Sequence, residues 1–224
     1  MSQTFKANWL VYAVAAALLI QLFNAYMITG IGARTSVTSA ASATPWGTVD
    51  LAGVFDDMRP KGVPVVYGAE LGVSYDDISV SNPSSSDAAI RKLAAKESIQ
   101  LSGEQLKRYI GITSQISCEY CCGAPSIIDS RGEPACSCAH SSAMRGLGKY
   151  LVSEHPELSD DTILSELAKW KTLFFPQNMA KKAVVLSQQL GTVTFSDLGS
   201  NKYRGAEYNA DVGSDSSGMA GACG

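Results

Sequence analysis

An uninterrupted apolar run, WLVYAVAAALLIQLFNAYMITGI from Trp9 to Ile31, carries no charged residue. At about 1.5 Å of rise per residue it is long enough, as a helix, to cross a hydrocarbon layer about 30 Å thick, so it predicts a transmembrane helix. Trp9, Tyr12 and Tyr26 stand toward its ends, where amphipathic rings favour the headgroup region. Gln21 and Asn24 offer hydrogen bonds to the helix of a protein partner. The competing reading is a cleaved signal peptide, for which Ala41, Ser42 and Ala43 supply small residues, but these lie well past the apolar core. Lys6 and the amino terminus against Arg34 place a small positive excess before the run. The expectation is a single-pass protein of the cytoplasmic membrane, amino terminus inside and the rest extracytoplasmic.

Beyond the run the pattern changes twice. Residues 32–100 read as a linker and irregular region, small and polar at first, then short apolar runs broken by Gly, Pro and Asp. VPVVYG, from Val63 to Gly68, reads as a short strand, and Ser86 as the cap of a helix through DAAIRKLAAKE. From Leu101 apolar residues recur at helical spacing. Ser102 with Gln105 forms a capping-box pattern before Leu106, Tyr109, Ile110 and Thr113. A second stripe takes Ala143, Met144, Leu147, Tyr150 and Leu151. A third starts at Ser159, with Asp160 and Asp161 favourable to the helix dipole, and presents Ile163, Leu167, Trp170 and Phe174 before Pro176. A fourth takes Met179, Ala183, Leu186 and Leu190. The organisation predicted is an amino-terminal tail at 1–8, the span at 9–31, the irregular region at 32–100, a helical domain at 101–190 and a flexible Gly/Ser-rich tail at 191–224. The fold class expected is mostly α, with the small helical domain built around a Cys/His knuckle and hairpin.

Charge removes one class of partner. A net charge of −3, with both signs interspersed, leaves no basic stripe for a nucleic-acid backbone, so no nucleic acid is expected.

The candidate chemistry lies in ISCEYCCGAPSIIDSRGEPACSCAHSSAMRGL, Ile116 to Leu147, which holds five of the chain's six cysteines and one of its two histidines. Cys118, Cys121 and Cys122, then Cys136, Cys138 and His140, follow the pattern C-x2-C-C, an intervening loop, C-x-C-x-H. Soft and borderline donors from two chain segments are what a metal site needs. CEYCCG can turn at Gly123, and SIIDSRGEPA reads as a hairpin turning at DSRG, with Ile127 and Ile128 toward the core. That hairpin would return Cys136, Cys138 and His140 to the first cysteines, at the positive start of the next helix.

Disulfides are the competing reading, but they do not explain the His, and adjacent Cys121 and Cys122 pair with each other only under strain. A redox site is less well supported, because CEYC lacks the strand-then-helix setting. Four donors would suit zinc, and six closely spaced ones would suit copper(I). Cys223 is left outside the set, His155 reads as a surface residue, and Met144 and Met179 read as core.

At PACSCAHSS, Pro134 to Ser142, the sequence resembles the signature of membrane-anchored or lipoprotein PCYCGC-motif proteins of bacteria, over nine residues. It departs from that motif in having Ala135 where the motif places a Cys, and in adding CEYCC upstream. The resemblance implies an anchored Cys/His module with a metal-related role, and no reaction. No nucleophile set stands out, and the paired aspartates sit where turns or helix starts explain them, so no enzyme is expected. The function expected is a membrane-anchored, extracytoplasmic protein that binds zinc or copper. The alternative is an interaction or assembly module stapled by a structural metal or by disulfides.

Overall fold

The computed structural model describes residues 50–209 and 219–220, and every regular element among them is helical. The α-helices are α1 Leu51–Met58, α2 Gly68–Leu71, α3 Pro83–Ala94, α4 Gly103–Thr113, α5 Ala139–Glu154, α6 Asp160–Phe174, α7 Pro176–Leu190 and α8 Phe195–Gly199. Shorter 3-10 turns lie at Tyr75–Asp77, Ala95–Ser98, Asn201–Tyr203 and Ala206–Asn209.

α5 is the centre. It packs against α3, the Ala95–Ser98 turn, α4 and α6, and is buried along most of its length. Small residues make that possible. A Cβ on Gly146 would stand 2.1 Å from the Leu93 carbonyl oxygen, so only glycine lets α3 come this close. α6 begins as its sequence demands: the Ser159 hydroxyl accepts from the Thr162 amide, with Asp160 and Asp161 in the positive first turn. Pro176, at the first position of α7, lacks the N–H that a helix start leaves unpaired in any case.

Residues before 100 supply part of the same core. Tyr67 is fully buried, accepts from the Trp170 indole at 2.7 Å and donates to Glu166 at 3.0 Å. Tyr75 packs its ring against Trp170 at 5.3 Å. The irregular region expected there is therefore helical from Leu51 and joined to the core. Its helices are short and take their stability from buried aromatics, which periodicity does not reveal. VPVVYG is not a strand: Val65 is fully exposed and Gly68 opens α2. Ser86 does not cap α3. Asn82 does, and Ser86 is buried, donating to the Ser79 and Asn82 carbonyls. Ser102 occupies the N-cap of α4 but makes no side-chain cap bond. The tail also departs from expectation, since α8 buries Leu198 and Gly199 and the last 3-10 turn buries Glu207.

Two further parts of the expected fold are corrected. The hairpin is only a return turn: Ile128 and Pro134 form an isolated bridge, and no strand occurs among the described residues. Asp129 explains why. Its side chain accepts from the Arg131 and Glu133 amides, closing the turn locally before a ladder can extend. The single-pass membrane architecture is not supported. Among the described residues no helix is long and apolar enough to cross a membrane, the long helices being amphipathic with charged faces, and the segment expected to span, 9–31, lies outside them. The extracytoplasmic localisation rested on that span and falls with it.

Candidate metal centre

Three pieces of chain meet at the sulfurs: the knuckle after α4, the loop returning from the Asp129 turn, and the first turn of α5. The knuckle turns sharply because Glu119 takes a left-handed conformation, φ 64°, which lets the Tyr120 amide reach the Cys118 carbonyl at 2.6 Å. A non-glycine residue there needs fixing from outside, and a buried ion cluster does it. Glu119 accepts from Lys171 at 2.6 Å, from Lys182 at 3.2 Å and from the Gly205 amide at 2.7 Å. Both lysines are fully buried. One carboxylate thus ties the knuckle to α6, α7 and the chain after α8.

The returning loop is held by Arg145 of α5. Its guanidinium pairs with Glu97 and donates to the Ile127 carbonyl at 3.1 Å and the Cys136 carbonyl at 2.7 Å. Cys138 then caps α5, its sulfur accepting from the Ser141 amide at 3.4 Å and lying 3.3 Å from the Ser141 hydroxyl. His140 follows in the first turn, fully buried, with its ring against Phe174 and Phe175 at 4.8 and 5.1 Å. Its Nε2 bonds the Ala220 carbonyl at 2.8 Å. A carbonyl only accepts, so Nε2 carries a proton and donates that bond.

The arrangement brings together Cys118, Cys121, Cys138 and His140, whose ligand atoms all lie within 4.8 Å of one another. This group could hold a metal ion. Cys118 and Cys138 are free thiols, both buried, with sulfurs 3.5 Å apart. Two thiolates on one tetrahedral ion would stand about 3.8 Å apart, so the pair already has nearly the spacing of ligands. Cys138 is the more acidic of the two. Its hydrogen bond with Cys118, then those with His140 and Ser141, hold its thiol well below the ordinary range against the opposing effect of burial. The same bond and burial push the Cys118 thiol up.

The remaining predicted ligands are placed differently. Cys122 and Cys136 are joined in a disulfide, and with Cys138 they form a second group of sulfurs within 4.8 Å. Cys121 is itself disulfide-bonded, so it joins an ion only once that bond opens. Cys223 lies outside the described residues. His155 is the C-cap of α5, about 24 Å along the helix from its start. Met144 and Met179 are fully buried in the core.

Sequence reasoning passed over Arg145, Glu119, Lys171 and Lys182. Lys171 and Lys182 gave a usable signal, because each falls within an apolar stripe, and a charge on a buried face needs a buried partner. The chain matches no protein-family model, no curated protein and no solved structure.

Proposed function

We propose that the protein is a non-enzymatic binder of a thiophilic metal ion held by Cys118, Cys138 and His140. The single observation that supports this most is the convergence of two buried free thiols and an imidazole at one point, with the sulfurs already at ligand spacing. Three donors need no bond broken, and two thiolates with one imidazole suit copper(I). Zinc would require a fourth donor, which Cys121 supplies if its disulfide is reduced. The Ala220 carbonyl, by accepting from Nε2–H, orients the imidazole so that coordination would run through Nδ1.

The test is the metal content of the purified full chain, measured alongside a free-thiol count. About one copper or zinc per chain is expected. His140→Ala should lower retention about tenfold or more, by analogy with the losses seen when even a ligand's supporting partner is removed. His155→Ala, at the far end of the helix, should leave retention unchanged. Absence of metal in protein with two free thiols, or equal loss in both variants, would sink the reading. One observation favours the second reading, an interaction module stapled by disulfides: the Cys122–Cys136 bond closes the loop between knuckle and helix. A loop of this length gains about 3 kcal/mol from closure.

A further inference from the structure

The sulfurs continue past the proposed ligands. Cys138 belongs to two groups at once. Its sulfur is 3.5 Å from the Cys118 sulfur, and it also lies within 4.8 Å of both sulfurs of the Cys122–Cys136 disulfide. A thiol, a second thiol behind it and a disulfide ahead of it form a complete reactant set for internal exchange.

We infer that the Cys122–Cys136 disulfide and the Cys118/Cys138 dithiol interconvert through Cys138, switching the proposed ligand pair between open thiols and a closed disulfide. In the first step the Cys138 thiolate attacks the Cys136 sulfur. The Cys122–Cys136 bond breaks, and its electron pair leaves on Cys122. That direction follows from exposure: Cys122 is exposed and Cys136 buried, so water can solvate and protonate the departing Cys122 sulfur. In the second step the Cys118 thiolate attacks the Cys138 sulfur, the Cys136–Cys138 bond breaks, and Cys136 leaves and takes up a proton. One disulfide is made for each one broken. Two protons pass from Cys118 and Cys138 to Cys122 and Cys136, and no external oxidant or reductant is consumed. The Ser141 amide and hydroxyl both face the Cys138 sulfur at the helix start, where they favour an attacking anion.

The exchange has a consequence that rests on the metal reading. An ion bound by Cys118 and Cys138 holds the chain in the Cys122–Cys136 isomer, and closing Cys118–Cys138 removes two ligands at once. Exposed Cys122 gives a thiol outside the protein its point of entry to the switch.

Disulfide mapping of the full chain tests this, using a preparation that carries two free thiols per wild-type chain. The chain is treated with EDTA and bathocuproine, held at mildly alkaline pH, acid-quenched and alkylated. Peptides linked Cys122–Cys136 and peptides linked Cys118–Cys138 are both expected from the wild type. Cys118→Ser should stall at the intermediate, giving Cys136–Cys138 peptides and alkylated Cys122, whereas Cys138→Ser should keep Cys122–Cys136 intact, with Cys122 not alkylated. Adding zinc(II), or copper(I) kept reduced, should deplete the Cys118–Cys138 isomer about tenfold or more, as a ligand that selects one state must. Wild type that gives Cys122–Cys136 with no Cys118–Cys138 peptide, together with no Cys136–Cys138 peptide from Cys118→Ser, overturns the exchange even where metal is retained. Exchange products that metal leaves unchanged would uphold the exchange and count against the metal reading instead.

Discussion

Arg145 ties three separate stretches of chain around the sulfurs: Glu97, the Ile127 carbonyl and the Cys136 carbonyl all meet its guanidinium. Its side chain is 4% exposed and that of Glu97 22%, so the pair is largely out of water. Arg145→Met should therefore cost about 3 kcal/mol in urea denaturation, at the low end for a broken buried pair because Glu97 can partly rehydrate. Arg145→Lys should recover only part of this, since one ammonium cannot reproduce the fork that serves three acceptors. A loss below about 0.5 kcal/mol for Arg145→Met would show that the loop stands without it. That Cys118, Cys138 and His140 come together was legible in their spacing along the chain. The pairing of Cys122 with Cys136 was not, because it depends on how the Asp129 turn returns the loop. Arg145 was also hidden: on a sequence it is one more charge on a helix, and its three acceptors lie on remote segments, two of them backbone.

Helix ends and helix crossings give the sharpest expectations at the level of elements. Ser159→Ala should cost about 1 kcal/mol, because its hydroxyl accepts from the Thr162 amide. Ser102→Ala should cost close to nothing, because Ser102 sits at the cap of α4 without making the bond. Equal losses measured by urea denaturation would contradict the difference between the two caps. Gly146→Ala should cost about 1–3 kcal/mol or more, since its methyl would meet the Leu93 carbonyl and push α3 from α5. α4 to α7 were readable in sequence because each presents a sustained apolar stripe. α1, α2 and α8 were not, because they are 8, 4 and 5 residues long, too short for periodicity to register. α8 is fixed by a close approach that only structure reveals: a Cβ on Gly199 would stand 2.5 Å from the Ala168 Cβ.

For the molecule as a whole, the buried ionisable groups set how stability changes with pH. Glu119 is drawn two ways: burial raises it, but the Lys171 and Lys182 charges, the Lys171 hydrogen bond and the Gly205 amide outweigh that and hold it below its ordinary 4.5. A depressed carboxylate contributes stability above its unfolded value, and that contribution is lost as pH falls through the folded one. The knuckle should therefore loosen on the acid side, below about pH 4.5. On the alkaline side two effects oppose each other. Burial first, then the charge of Lys182, lowers Lys171 to about 8 from 10.5. Between those values the unfolded chain binds more protons than the folded one, so stability rises with pH. Tyr67, Tyr75, Tyr109 and Tyr120 work the other way, each raised above the ordinary 10.0, chiefly by burial. Above about pH 10 they ionise in the unfolded chain while staying neutral in the fold, so stability falls. The urea midpoint should climb from pH 8 toward 10 and drop beyond it. A Cys118→Ser/Cys138→Ser background suits the measurement, because it leaves no free thiol among the described residues to exchange at alkaline pH. In that background Lys171→Met should abolish the climb and keep the drop. A midpoint that falls steadily from pH 8 in the background protein, or a climb that survives Lys171→Met, would remove Lys171 as its source.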